Sequence, residues 1–289
     1  MTHTTSERFK LTVDGTELSL LRSANGKYPV LFCHSNSTSS DNFLPCFEQL
    51  ASRYDCVALD FPGHGLSARS GSPEATYSMP GLAGVVRSVI AQLGWKRYAL
   101  VGHSLGGHSA CQAAPELSGL RGLMLVSAPP IRVTELGRIY REDPTAGALF
   151  SGELTSDQVQ RFARALVSPE TVPAEQVREL ETTIRRTDPQ FRAWLGKNVA
   201  AGRFADEVTI LSQLDSPTAL VYGLDDAFIH PEYYRTVTLK RPWRSVSDAQ
   251  HTRAGLVPLQ GAGHSPNLTG NAAFLGKLAE FLESCAATA

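Results

Sequence analysis

Three side-chain types that this chain carries far apart, a serine, a carboxylate and a histidine, are the set needed for nucleophilic attack on a carbonyl carbon. The serine is Ser104, within Gly102-His103-Ser104-Leu105-Gly106, which fits G-x-S-x-G. A serine hydroxyl is a weak nucleophile at neutral pH, so it needs a base, usually a histidine held in one tautomer by a carboxylate. Among the eight histidines, His264 is the base the sequence favours. It follows an apolar run in GAGHSP, where glycines allow a tight turn that returns the imidazole over the edge of a sheet. For the acid, GLDD offers Asp225 and Asp226, and side-chain type alone does not choose between neighbours that point in different directions.

The other titratable candidates have plainer roles. In a strand-turn-helix setting the partners follow the nucleophile in the order serine, acid, histidine, which weighs against His34 and His64. His3 lies in a polar N-terminal segment, His230 and His251 in polar loops, and His103 and His108 beside the serine, where packing around the turn is expected. Asp206 and Asp215 precede an apolar run and read as capping or solvated groups.

For Ser104 to stand exposed, a strand must lead into it and a helix must leave it. RYALVGHS has the strand pattern and the helix begins at about Ser104, so the sharp turn lifts the hydroxyl above the C-terminal sheet edge. The same turn sets the Leu105 amide at a helix N-terminus, able to donate to an oxyanion. RFKLTV and ELSLLR form an antiparallel pair around Asp14-Gly15. PVLFCHS, YDCVALDF, LRGLMLVSAP, PTALVYGLDD and AGLVPLQGAGHS read as buried strands, and PEYYRTVTL continues the sheet rhythm. DNFLPCFEQLAS, GLAGVVRSVIAQLG and a closing NAAFLGKLAEFLESC are helical. The alternation predicts an α/β fold: a mostly parallel central sheet with helices on both faces.

That rhythm breaks at about Pro130. From Ile131 to about Phe204 the chain is charged and helical in pattern, so residues 131–205 are expected as a helical cap inserted into a core of 1–130 and 206–289. Apolar positions there, including Leu149, Phe150, Phe162, Leu166, Phe191, Trp194 and Leu195, are candidates for lining an acyl pocket. RPWRSVSDAQHTR, between Lys240 and Arg253, reads as a polar loop.

Composition narrows the partners. Lys plus Arg total 27 against 28 for Asp plus Glu in 289 residues, a formal net charge of -1, so no global field draws in nucleic acid or an anionic membrane. A small, roughly neutral molecule fits better. The five cysteines lie far apart without a C-x-x-C pair, which argues against zinc or redox work. No window approaches a membrane span and the N-terminus has no apolar leader, so a soluble, cytoplasmic protein is expected.

Taken in order, HSNSTSS, DFPGHGLS, GHSLGG, GLDD and GAGH resemble the α/β-hydrolase superfamily over nearly the whole chain. The resemblance implies the α/β-hydrolase fold and assigns the acid to Asp226, three residues after the glycine of the seventh-strand motif, with Asp225 as fallback. YSMPGLAG, GHSLGGHSACQAA and LRGLMLVSAPP look most like bacterial N-acyl-homoserine lactone lactonases of this fold and related serine esterases. By the same analogy the amide of Asn36 is a second oxyanion donor. Two positions depart from the lactonase pattern: Ser35 replaces a glycine, and Phe162 stands where a tyrosine hydroxyl can occur. Ser35, Phe162 and Trp194 are therefore the expected substrate contacts.

The implied reaction is acyl transfer to water at a hydrophobic ester or lactone, with no metal or cofactor. Alternatives on the same fold are a carbon–carbon hydrolase of ring-cleavage diketones, a cofactor-free dioxygenase and a ligand receptor. Haloalkane dehalogenases and many epoxide hydrolases carry aspartate at the turn, so Ser104 argues against both.

Overall fold

In a computed structural model, which describes residues 6–23, 27–142, 144–169, 172–245 and 253–287, the buried apolar runs of the sequence lie side by side as one eight-stranded sheet. His3, His251 and the middle of the polar loop before Arg253 fall outside the described residues. Strands β1 (Glu7–Val13) and β2 (Thr16–Ser23) pair antiparallel across Asp14 and Gly15, both at positive φ, as a two-residue hairpin turn requires. Next come β3 (Tyr28–Cys33), β4 (Tyr54–Leu59), β5 (Tyr98–His103), β6 (Leu120–Val126), β7 (Thr218–Gly223) and β8 (Leu256–Leu259). The spatial order is β1-β2-β4-β3-β5-β6-β7-β8, and every pair from β4 to β8 is parallel. All C-terminal ends of these strands therefore open on one edge.

Alternation along the strands splits the core in two. Leu31, Leu100, Leu123 and Leu220 face the helices Met79–Leu93 and Leu105–Ala113. Phe32, Val101, Met124 and Val221 face the helices Leu44–Leu50 and Ala272–Ala287. Strands β4, β5 and β7 are buried at every position, which is why they read as unbroken apolar runs. The five cysteines are all free and buried within this packing.

After β6 come the helices Ser156–Val167, Ala174–Arg186 and Pro189–Ala200. The first starts with a capping box between Thr155 and Gln158, and Asp188 caps the third through the amide of Gln190. The chain then rejoins the core, where the Glu207 amide donates to the Ile131 carbonyl at 2.9 Å.

One expected strand segment is a helix instead. Pro231–Thr236, within PEYYRTVTL, forms a 3-10 helix, with Pro231 in its first turn where no amide is needed. Tyr233 and Tyr234 are both buried, an arrangement that adjacent residues in an alternating strand do not give. Tyr234 stacks flat on Tyr222 at 4.0 Å, and the Tyr233 hydroxyl donates to the Pro130 carbonyl.

The face under the closing helix is tightly filled. Phe281 is fully buried, meets Trp243 edge-on at 5.6 Å, and lies over Gly122, where an added Cβ would come within 2.8 Å of its ring. Phe281→Ala should cost about 3–5 kcal/mol through lost burial and a residual cavity. Urea denaturation of the variant measures this, and a loss below about 1 kcal/mol would contradict the packing described.

Candidate active site

The strand-to-helix turn after β5 leaves little freedom for its residues. Ser104 adopts φ 50° and ψ -116°, a left-handed backbone that residues with a Cβ avoid. The Ser104 amide donates to the Val126 carbonyl at 2.8 Å, and its own carbonyl accepts from the His108 amide at 3.0 Å. The glycines permit close approach. A Cβ on Gly106 would sit 2.2 Å from the Cys33 carbonyl oxygen, and one on Gly102 would sit 2.4 Å from that of Gly106. Leu105 opens the helix Leu105–Ala113, so its amide has no acceptor within that helix.

The other two strand-end loops converge on the same place. After β7, Asp226 is buried, and one carboxylate oxygen accepts from the amides of Phe228 (2.8 Å) and Ile229 (3.1 Å). Its second oxygen accepts from Nδ1 of His264 at 2.8 Å, after β8. Asp225 is exposed and takes no part in that contact. A carboxylate only accepts, so the proton sits on Nδ1 and the neutral ring keeps its lone pair on Nε2. Phe228 meets the His264 ring edge-on at 4.8 Å, and His103 lies 5.2 Å from it on another side.

Ser104, Leu105, Asn36 and His264 all line one narrow cavity of about 30 Å³. Its remaining wall is Met79, His108, Ser127, Tyr140, Leu149, Phe150, Leu195, Phe228 and Ile229. Burial drives the Tyr140 hydroxyl well above its usual range, so it stays protonated. Larger grooves, of about 720 and 690 Å³, lie elsewhere, and neither includes Ser104, Asp226 or His264. Size alone would point away from the chemistry. Among the described residues there is no group of three or more His, Cys, Asp or Glu able to hold a metal ion.

The loop after β3 is held from three directions. The Ser35 carbonyl accepts from the Thr38 amide and hydroxyl, and the Ser37 amide donates to Nε2 of His64. The guanidinium of Arg192, only 3 % exposed, donates to the Ser37 hydroxyl at 3.1 Å and to the carbonyls of Ser151, Gly152 and Ile184. The Ser37 hydroxyl in turn donates to the Asn36 carboxamide oxygen at 2.9 Å, and the Asn36 amide group donates to the Leu149 carbonyl at 2.7 Å. One chain of hydrogen bonds thus joins the inserted helices to Asn36.

The three expected substrate contacts lie off the cavity wall. The Ser35 hydroxyl is paired with Thr38 inside its own turn. Phe162 is fully buried behind Phe228, 6.0 Å between ring centres, and braces that ring. Trp194 is half-buried with Lys197 over its face. Of the apolar insertion residues singled out by pattern, Leu149, Phe150 and Leu195 reach the cavity, while Leu166 and Phe191 are packed away from it. His108, Ser127 and Tyr140 were missed as wall residues. The available signals were that His108 stands one helical turn after Ser104 and Ser127 directly follows the strand beside β5.

A family model described as the alpha/beta hydrolase family matches residues 30–276. Over 83 residues the chain is 41% identical to a serine hydrolase-like protein of Danio rerio, covering 28% of this chain and about a quarter (25%) of that relative's length. A pimeloyl-[acyl-carrier protein] methyl ester esterase of Stenotrophomonas maltophilia (strain K279a) is 26% identical over 206 residues, 70% of this chain and 76% of that protein. The crystal structure of N-acyl homoserine lactonase AidH complexed with N-butanoyl homoserine matches with a TM-score of 0.87 at 25% identity, over 96% of this chain and 97% of that one. No helix among the described residues is long and apolar enough to cross a membrane.

Three histidines around the site are held neutral. His34 accepts the Phe61 amide at Nε2 and gives Nδ1–H to the Ser35 carbonyl; His64 does the same with the Ser37 amide and the Pro62 carbonyl. His103 gives Nε2–H to the His264 carbonyl while its Nδ1 is buried without a partner. Burial pushes His34 below the usual imidazole range and His64 and His103 well below it. Between the lowered folded values and about 6.5, the unfolded chain binds more protons, so stability is full above about pH 6.5 and falls as pH drops through that window. Each of the three rings adds up to one proton to that slope, about 1.4 kcal/mol per pH unit. Urea denaturation between pH 7.5 and 5 reads this directly, and a flat profile would contradict neutral burial.

Proposed function

The chain belongs to the alpha/beta hydrolase family, and we propose that it cleaves a carboxylic ester or lactone of a small hydrophobic molecule through an acyl-enzyme. The observation that carries this reading is the His264–Asp226 contact of 2.8 Å at the cavity that Ser104 also lines. In the proposed reaction Ser104 Oγ attacks the carbonyl carbon while Nε2 of His264 takes its proton. Asp226 holds the ring by Nδ1–H and stabilises the imidazolium, without taking the proton itself. The amides of Leu105 and Asn36 receive the oxyanion. The leaving alcohol, or the ring oxygen of a lactone, takes the proton back from His264. Water then enters by the same base, releasing the acid and restoring Ser104.

Residues 131–205 serve as the cap in this reading. Leu149, Phe150 and Leu195 supply the apolar surface for the acyl part and exclude bulk water from the oxyanion. Among substrates we favour an N-acyl homoserine lactone, because a solved lactonase holding N-butanoyl homoserine is similar over almost the whole chain. The absence of a tyrosine at Phe162 does not leave the wall without a hydroxyl, since Tyr140 lies along the cavity.

Ser104→Ala should lower turnover of a short p-nitrophenyl ester by about 10³ or more, and proton release from N-acyl homoserine lactones in parallel. A fluorophosphonate should label the native protein once, at Ser104, by mass spectrometry. Full activity in Ser104→Ala, or label at another residue, would overturn the acyl-enzyme reading.

A further inference from the structure

A second histidine–carboxylate pair presents its histidine to the same cavity and has no part in the reaction above. His108 is four residues after Ser104 on the helix Leu105–Ala113, and it lines the cavity with Ser104 and His264. Its Nδ1 lies 2.9 Å from an oxygen of Glu207, which is fully buried. That carboxylate also accepts from the Gln112 side chain at 2.8 Å and the Ile131 amide at 3.1 Å, so its position is fixed from three sides. As with His264, an acceptor at Nδ1 holds the proton there and leaves the neutral ring its lone pair on Nε2. Among the described residues, Nε2 of His108 has no hydrogen-bond partner and is not sealed from open space.

Ser127 gives an independent sign on the same wall. It follows β6 directly in a left-handed conformation, φ 47°, lines the cavity, and is 1 % exposed, yet its hydroxyl has no partner. The next residue, Ala128, lies against Gly107 of the helix that carries His108. A buried hydroxyl left unpaired at a strained position calls for a partner that the protein itself does not supply. Met79, Leu105, Leu149, Phe150, Leu195, and Ile229 make the surroundings apolar, so a polar group brought here would meet few other partners.

We infer that His108 Nε2 and Ser127 Oγ form a subsite for a secondary amide in the substrate, adjacent to the scissile carbonyl. Nε2 accepts the amide N–H and the serine hydroxyl donates to its C=O. The inference rests on the hydrolase reading and sharpens it: the preferred substrate is an amide-bearing ester or lactone rather than a plain alkyl one. A site built to pair a polar group discriminates strongly against the analogue that lacks it, because its own groups are then left unpaired. His108 and Ser127 act as specificity-determining residues, while attack remains with Ser104.

The test compares two lactones of equal length, N-hexanoyl homoserine lactone and its O-hexanoyl analogue, in which oxygen replaces the amide N–H. In the native protein kcat/KM should favour the amide by about tenfold or more, chiefly through KM. In His108→Leu that preference should shrink to within about threefold, whereas Ser127→Gly, which loses the donor to a carbonyl that both lactones carry, should raise KM for both by about tenfold and leave the preference in place, with Ser104 still labelled by fluorophosphonate in each variant. Glycine tolerates the left-handed backbone at 127, so this variant keeps the assay informative even where His108→Leu loses stability. A native protein that is labelled and cleaves simple esters without amide preference overturns the subsite alone, as does an unchanged preference in His108→Leu or an unchanged KM in Ser127→Gly. A native protein that is neither labelled nor active on any ester overturns the hydrolase reading and the subsite together.

Discussion

The site depends on one backbone conformation that an L-residue resists. Ser104 at φ 50° and ψ -116° carries strain of about 1–3 kcal/mol, and the surrounding structure must impose it. Two strands do so. β6 takes the Ser104 amide at Val126, while the Cys33 carbonyl at the end of β3 lies so near Gly106 that only a hydrogen fits between them. The elbow helix, Leu105–Ala113, can then start with its free amides beside the serine, which gives a half-buried hydroxyl on the cavity wall and an anion-receptive helix end from the same turn. A parallel sheet suits this arrangement because neighbouring strands all end on the same edge, where β7 and β8 deliver Asp226 and His264.

Burial governs the electrostatics around that edge. Asp226 is buried as an acceptor because two amides and one imidazole fill its oxygens, so the cost of removing it from water is repaid by charge-assisted hydrogen bonds. His34, His64 and His103 are buried as neutral rings, each fixed by a backbone group rather than by a carboxylate contact. Arg192 is the reverse case, a buried cation whose donors go to carbonyls and to one hydroxyl. Its long side chain makes a single body of the inserted helices and the Asn36 loop.

How much of this was legible in the sequence follows from which constraints are local. G-x-S-x-G, the Asp14-Gly15 turn and the buried strands were readable, because each reflects a backbone limit or a period of two that neighbouring residues express directly. The choice between Asp225 and Asp226 came only through family resemblance, since it turns on which side chain meets the amides of Phe228 and Ile229. Phe162 and Trp194 were apolar at helical spacing, but the side of an inserted helix that faces a cavity depends on how three helices pack together. Phe162 became the brace for Phe228 and left the wall to Leu195. Tyr233 and Tyr234 misled for a related reason: aromatic residues favour strands, and here stacking on Tyr222 overrode that preference.

Glu207 shows how such tertiary constraints combine. Its amide and carboxylate both meet Ile131, so the point where the chain leaves the core and the point where it returns are tied together. The same carboxylate orients His108 and Gln112, both on the elbow helix, and Gln112 in turn accepts the Ala205 amide. The insertion is thereby anchored at its base to the helix that begins at the nucleophile. A displacement of its outer helices can therefore leave the polar wall at His108 in register with Ser104, since that wall belongs to the core and not to the insertion. Among the described residues, the apolar wall from Leu149, Phe150 and Leu195 has no such hydrogen-bonded tie to the elbow helix and is coupled to the core through Asn36 and Arg192. On the ester or lactone reading proposed above, the acyl part would meet a wall held through Asn36 and Arg192, and the reacting carbonyl a wall held by Glu207.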